Sequence, residues 1–226
     1  MLYAQVLTLF PSFFDSPLAC SIPKRAIAKG LVRIECIDIR AFARDKHRTV
    51  DDRPFGGGPG MVMKPDVVVA AIRKARANDP YTRVVMLSPD GVRFTQRKAE
   101  EYASLQGLAL LCGRYEGFDA RVEEYVDERL SVGDYVLSGG EPAALVVLDA
   151  VIRLLPGALG CEESARQESF SQGEDWLDWP QYTHPVDFEG RIVPAVLRSG
   201  HHAKIEQWRI QQAKRRARAR SQGDPR

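Results

Sequence analysis

Two glycine-rich turns carry the residue types closest to chemistry. The first, Gly113-Arg114-Tyr115-Glu116-Gly117-Phe118-Asp119, follows the apolar run Leu108–Cys112. The second, Gly133-Asp134-Tyr135-Val136-Leu137-Ser138-Gly139-Gly140-Glu141, follows Leu130-Ser131-Val132. After each the pattern shifts from strand-like to helix-like, which predicts turns at the carboxyl ends of buried strands, the edge where open α/β sheets bind ligands. Glycine lets the backbone approach a ligand closely or take positive φ. One Gly-Gly pair reads as an ordinary tight turn. Two such turns some twenty residues apart, each with Tyr and Glu, read as a shared site.

Known phosphate cradles do not account for them. The chain has no G-x-x-x-x-G-K-[ST], so no P-loop lysine meets a triphosphate. Gly56-Gly57-Gly58-Pro59-Gly60 is glycine-dense, yet a G-x-G-x-x-G read from Gly58 fails at Met63. Loops rich in backbone groups but lacking a phosphate motif suit a ligand read through amides and carbonyls, such as an adenine ring. That moves weight from ATP or NAD toward S-adenosylmethionine.

Other charged residues have two readings each. Lys46, His47, Arg48, Asp51, Asp52 and Arg53 share one long polar loop, and a loop of that length in a compact domain is functional or disordered. Together they could touch a base and its backbone; neither His47 nor the Asp pair has metal-ligand spacing. Arg153 interrupts an otherwise apolar helix. Such an arginine ordinarily snorkels to water, and the less common role is to present a guanidinium to a ligand. From Lys204 onward eight basic residues face two acidic ones, a surplus of six in a chain of net charge +2, so the rest is at −4. A basic tail on an acidic body is either a solvated helix end or a phosphate contact.

The elements that must position these residues follow from periodicity. Val6–Phe10, Leu31–Ile39, Arg83–Ser88 and Leu108–Cys112 read as strands, with Ser88-Pro89-Asp90-Gly91 a turn. Ser21–Lys29, Pro65–Arg76, a helix capped by Thr95, Glu141–Leu155 and His201–Arg218 read as helices. In the last, Ile205, Trp208 and Ile210 are expected to pack inward. Alternation of strands and helices predicts an α/β fold, a mostly parallel sheet with helices on both faces. The expected division is a main domain over 1–159, a polar linker over 160–174 and a small helical domain over 175–226.

At 226 residues and 44% hydrophobic, the chain can bury a sizeable core. No apolar run approaches the ~18 residues that a membrane helix needs. Met1–Phe10 lacks a basic n-region, so no signal peptide is expected. Cys20, Cys36, Cys112 and Cys161 are scattered with no C-x-x-C, which suits reduced thiols in a cytoplasmic protein.

Taken together, several stretches resemble the bacterial tRNA (guanine-37-N1)-methyltransferases, S-adenosylmethionine enzymes of the SPOUT class. They are Asp45–Met61, Leu87-Ser88-Pro89, Cys112–Gly117, Ser131–Glu141, Ser169-Phe170, Pro180–Pro185, and His202, Ile205 and Trp208-Arg209. The resemblance spans nearly the whole chain. It implies a deep trefoil knot, against the normal rule of unthreaded connections, and a homodimer whose active site is shared between subunits. It assigns the donor to Leu87, Ser88, Pro89, Gly113, Tyr115, Glu116, Gly117, Val132, Gly133, Tyr135, Leu137, Gly139 and Gly140. It assigns tRNA contact to Arg25, His47, Asp51 and Asp52, with a linker that orders when tRNA binds. It also suggests dependence on a divalent ion such as Mg²⁺, for which no ligand cluster stands out.

The acceptor implied is N1 of the guanine 3′ of the anticodon. That nitrogen bears a proton, so a general base is needed, and charge developing on O6 invites a guanidinium. The resemblance gives these tasks to Glu168 and Arg153. Two departures stand out: Glu168 occupies the place of the family's Asp, and the chain ends in Arg215–Arg226 where the family has an Arg-Pro-containing extension, so the small domain reads as shortened. A fold that binds RNA without turning it over is the rival reading, and a ribose 2′-O-methyltransferase, whose motifs are missing, ranks last.

Overall fold

The computed structural model describes residues 1–160, 168–171, 173 and 176–222. The chain divides into two compact units, Met1–Gly160 and Cys161–Arg226.

The first unit is built on five parallel strands in the order β2-β1-β6-β5-β7. β1 (Leu2–Thr8) lies between β2 (Val32–Asp38) and β6 (Gly107–Cys112). The short hairpin β3 (Asp51–Asp52) and β4 (Val62–Met63) stands apart from the sheet. β5 (Thr82–Arg93) pairs with β6 and with β7 (Glu128–Ser131). The helices are the single turn α1 (Asp15–Leu18), α2 (Ser21–Ala28), α3 (Pro65–Asn78), α4 (Gln96–Ala103) and α5 (Glu141–Ile152).

Side chains alternate between the faces of a strand, and here both faces are buried. Leu108, Leu110 and Cys112 of β6 join Val85 and Leu87 of β5 in a core shared with α2, α4 and α5. Ala109 and Leu111 join Val84 and Met86 in a second core against α3. Helices therefore cover both faces, which explains why these strands read as continuous apolar runs. Val67, Val68, Ala71, Ile72 and Ala75 of α3 are all buried, as their spacing predicts.

Several expectations need correction. Ser88–Gly91 does not end its strand. Leu130 of β7 faces both Leu87 and Val92, so the four intervening residues bulge out of a single longer β5. The polar loop over 44–60 is not without structure, because Asp51–Asp52 pair antiparallel with Val62–Met63. α5 ends at Ile152 rather than Leu155, since Leu154 and Leu155 donate to Val151 and Ile152 in a tightened last turn.

In the second unit, β8 (Asp187–Phe188) and β9 (Arg191–Ile192) form a hairpin, and α6 spans His202–Ser221. The Arg209 guanidinium lies 4.7 Å from the centre of the buried Trp179 ring, and Trp208 meets Tyr182 at 6.3 Å. Ile210 is exposed while Ala213 is buried, because the inward face of α6 follows positions 205, 209 and 213 at helical spacing. Most of the linker expected over 160–174 lies outside the described residues, as do Asp224 and Arg226 of the basic tail.

Candidate active site

β5, β6 and β7 end side by side, and the loops that leave them enclose a cavity of about 390 Å³. Ligand pockets run from roughly 300 to 1,000 Å³, so the volume suits a nucleoside-sized molecule. Leu87, Ser88 and Pro89 line it from the bulge in β5. Gly113, Tyr115, Glu116 and Gly117 line it from the first glycine turn. Val132, Gly133, Tyr135, Leu137, Gly139 and Gly140 complete it from the second. All the residues assigned to the donor thus face one space.

Backbone bonds join the turns. Gly140 N donates to Gly113 O at 2.9 Å, placing the second turn across the first. Arg114 then reinforces the join from its side chain, donating from Nη1 to Ser138 O at 3.0 Å and from Nε to Glu141 Oε2 at 3.0 Å. A Cβ on Gly139 would stand 2.3 Å from Arg114 Nε, and one on Gly140 2.7 Å from Cys112 Cα. Only glycine permits these approaches. Tyr115, a non-glycine residue, takes φ +59°, a sparsely populated conformation that functional loops tend to retain.

The segment that follows the loop over 44–60 meets the same turn. Glu116 N donates to Met61 O, and Met63 N to Gly117 O, both at 2.9 Å. Asp45 organises the outer part of this loop, accepting from the amides of His47 and Thr49 at 2.9 Å. His47 and Asp52 are exposed, Asp51 is half-buried, and Arg25 is exposed on α2. None of these four lines the cavity.

Charge around the cavity is largely paired. Arg129 donates to Asp90 at 2.9 Å and Glu123 at 3.2 Å. The Arg121 guanidinium holds the Asp119 carboxyl down to about 2, with the Arg121 amide assisting. Glu116 has no ion pair among the described residues, so an acid facing the cavity keeps its affinity for a cation. Burial, helped by Glu141, pushes the Cys112 thiol well above its ordinary range, which makes it a packing residue rather than a nucleophile. Among the described residues, no group of three His, Cys, Asp or Glu side chains is arranged to hold a metal ion.

Comparison with known proteins settles the family. A model of the tRNA (Guanine-1)-methyltransferase TrmD family matches residues 2–223. The chain belongs to the TrmD family. It is 54% identical over 211 residues to a tRNA (guanine-N(1)-)-methyltransferase of Thermus thermophilus, covering 93% of this chain and 86% of that protein. It is 50% identical over 213 residues to the protein of that name from Dictyoglomus turgidum, covering 94% and 85%. The TrmD relative from Geobacillus kaustophilus is 49% identical over 213 residues, covering 94% and 86%. The chain is therefore an enzyme of a methyltransferase family that acts on tRNA.

The two residues expected to act on the base lie in different units. Arg153 caps the C-terminus of α5 and is half-buried. Glu168 lies in the second unit, in a turn where Ser171 donates from both N (3.2 Å) and Oγ (2.7 Å) to the Glu168 carbonyl. Its neighbour Ser169 accepts from Asp178 N at 3.0 Å. Sequence reasoning missed Asp90, Glu123 and Arg129 as lining residues. Their ion pairs link β5, β7 and the 3₁₀ turn Ala120–Tyr125, and no spacing along one segment marks such a set.

Proposed function

We propose that this protein transfers the methyl group of S-adenosylmethionine to N1 of guanosine 37 in tRNA, 3′ of the anticodon, and so supports maintenance of the reading frame. The observation that carries the reading is the convergence of both glycine turns and the β5 bulge on one cavity, lined by Glu116, an acid with no ion pair among the described residues that suits a cationic donor. Bound there, the donor supplies an electrophilic methyl group on a sulfonium. The apolar side chains of Leu87, Val132 and Leu137 would pack the adenosine, and backbone groups of Gly113 to Gly117 and Gly133 to Gly140 would read its edges.

The chemistry at the base falls to Glu168 and Arg153. Glu168 takes the N1 proton as the new carbon–nitrogen bond forms, and the carbon–sulfur bond of the donor breaks to leave a thioether. Arg153 stabilises the charge that gathers on O6. The guanine must leave its stack to reach the cavity. Glu168 has the intrinsic acidity of the family's Asp but one more methylene. Arg25, His47, Asp51 and Asp52 would meet the RNA, with α6 adding phosphate contacts. The active form on this reading is a homodimer with a shared active site and the family's deep trefoil knot, its domains divided at 1–159, 160–174 and 175–226.

The test is incubation of the protein with methyl-labelled S-adenosylmethionine and tRNA bearing guanosine at position 37, followed by nucleoside analysis. The expected product is 1-methylguanosine at that position. No incorporation, or methyl on another atom, rejects the proposal, and tRNA binding without turnover would favour an RNA-binding role instead.

A further inference from the structure

Glu141 is fully buried at the first turn of α5. Thr8, at the end of β1, donates from Oγ1 to Glu141 Oε1 at 2.7 Å, and Arg114 Nε donates to Oε2 at 3.0 Å. Thr8 Oγ1 in turn accepts from Phe10 N at 2.9 Å, and the Phe10 ring centre lies 4.5 Å from the Arg114 guanidinium carbon. A buried carboxylate stripped of its partner is strongly destabilising, whereas one held by several hydrogen bonds is tolerated. Glu141 therefore dictates where the Arg114 guanidinium stands.

The same guanidinium dictates where the second glycine turn stands. Its Nη1 holds Ser138 O at 3.0 Å, and its Nε sits where a side chain on Gly139 would be. One arginine, rooted between Gly113 and Tyr115, thus grips both a carbonyl of the other turn and the acid at the head of α5. A lysine could not do this, because a point ammonium lacks the planar fork that serves two acceptors at fixed angles.

We infer that Arg114 is a positioning residue for the donor site. Held by Glu141, which Thr8 anchors in turn, it sets the spacing of the two glycine turns and hence their affinity for the donor, and it takes no part in methyl transfer. The inference rests on the donor reading above.

Calorimetry with S-adenosylhomocysteine on wild type, Arg114→Lys, Arg114→Met, Glu141→Gln and the Arg114→Met/Glu141→Gln double variant tests it, with steady-state kinetics and melting curves alongside. Each Arg114 variant is expected to raise the Kd about 10- to 100-fold, the scale of losing a charge-assisted hydrogen bond that holds the site. KM for tRNA should stay within about twofold, and kcat at saturating donor within about threefold. Glu141→Gln changes no volume but turns one acceptor into an N–H donor, so it should weaken binding in the same direction. The double variant should bind no worse than Arg114→Met, because the two act as one unit.

Donor affinity within about twofold of wild type in Arg114→Met and Glu141→Gln overturns the inference, as does a fall in melting temperature without loss of affinity. Additive losses in the double variant also overturn it. Should Arg114→Met fail to fold, Arg114→Lys and the isosteric Glu141→Gln carry the test. Wild type with no affinity for S-adenosylhomocysteine would instead defeat the donor reading itself.

Discussion

The amide of Gly140 donates to the carbonyl of Gly113 at 2.9 Å, so the two glycine turns share one hydrogen bond at the edge of the cavity. A methyl group at position 140 would press on Cys112 Cα at 2.7 Å and Gly113 N at 3.0 Å, both main-chain atoms that cannot swing aside. Gly140→Ala is expected to cost about 1–3 kcal/mol of stability through overpacking and to weaken S-adenosylhomocysteine binding. Urea unfolding and calorimetry check both. A variant that matched wild type in each would sink the view that this approach shapes the site.

Glu168→Gln is expected to slow single-turnover methylation of tRNA by about 10²- to 10⁴-fold, the usual worth of a general base, while leaving the Kd for S-adenosylhomocysteine unchanged. Glu168→Asp should remain active, since the acid keeps its strength and returns to the side-chain length of the family's Asp. Full activity in Glu168→Gln would remove this residue from the chemistry.

Arg153→Met is expected to lower the rate of methyl transfer by about 10²- to 10³-fold, the loss typical of removing one donor to a developing oxyanion. Donor affinity should not move, because Arg153 does not line the cavity proposed to hold the donor. Stopped-time assays at saturating donor and tRNA distinguish this from a defect in RNA binding, which would appear in KM.

The Cys36 thiol is pushed up to about 11, first by burial and then by the charges of Asp15 and Glu35. A group whose folded pKa is raised contributes its stability in full below its ordinary value of 9.0 and loses it as pH rises through about 11. Melting temperature should therefore fall more steeply above pH 9 in wild type than in Cys36→Ala. At pH 8, iodoacetamide should modify the exposed Cys20 well before Cys36 or the buried Cys112, as site-resolved mass spectrometry would show.

Arg215 and Arg218 are exposed on α6. If they meet tRNA phosphates, replacing both with Gln should reduce the dependence of log K on log salt by roughly 0.7–0.9 per lost charge. Filter binding across a salt series gives the slope, and an unchanged slope would return these residues to the solvated surface.

How much of this was legible in the chain varies by residue. The apolar stripe of α3 and the runs of β5 and β6 were plain, because burial on both faces of a parallel sheet leaves local patterns. The two glycine turns were legible as turns, and the resemblance proposed a ligand for them. Ile210 was misread because Arg209 turns its guanidinium onto Trp179, a contact that hydrophobicity along a helix does not reveal. Ser88–Gly91 was read as a terminator, since a four-residue bulge looks locally like any proline-glycine turn.

The sequence by itself determined the class of fold, the family and the residue types available for catalysis, because periodicity, glycine placement and motif wording are properties of neighbours along the chain. Only the tertiary structure decided that Met61 and Met63, just past the polar loop, bond to the first glycine turn, and that Thr8, Arg114 and Glu141 form one connected set. Those contacts join residues far apart in sequence. They exist because the parallel strands β1 and β6 deliver their ends to the same edge of the sheet, a fact of strand order that no local pattern encodes.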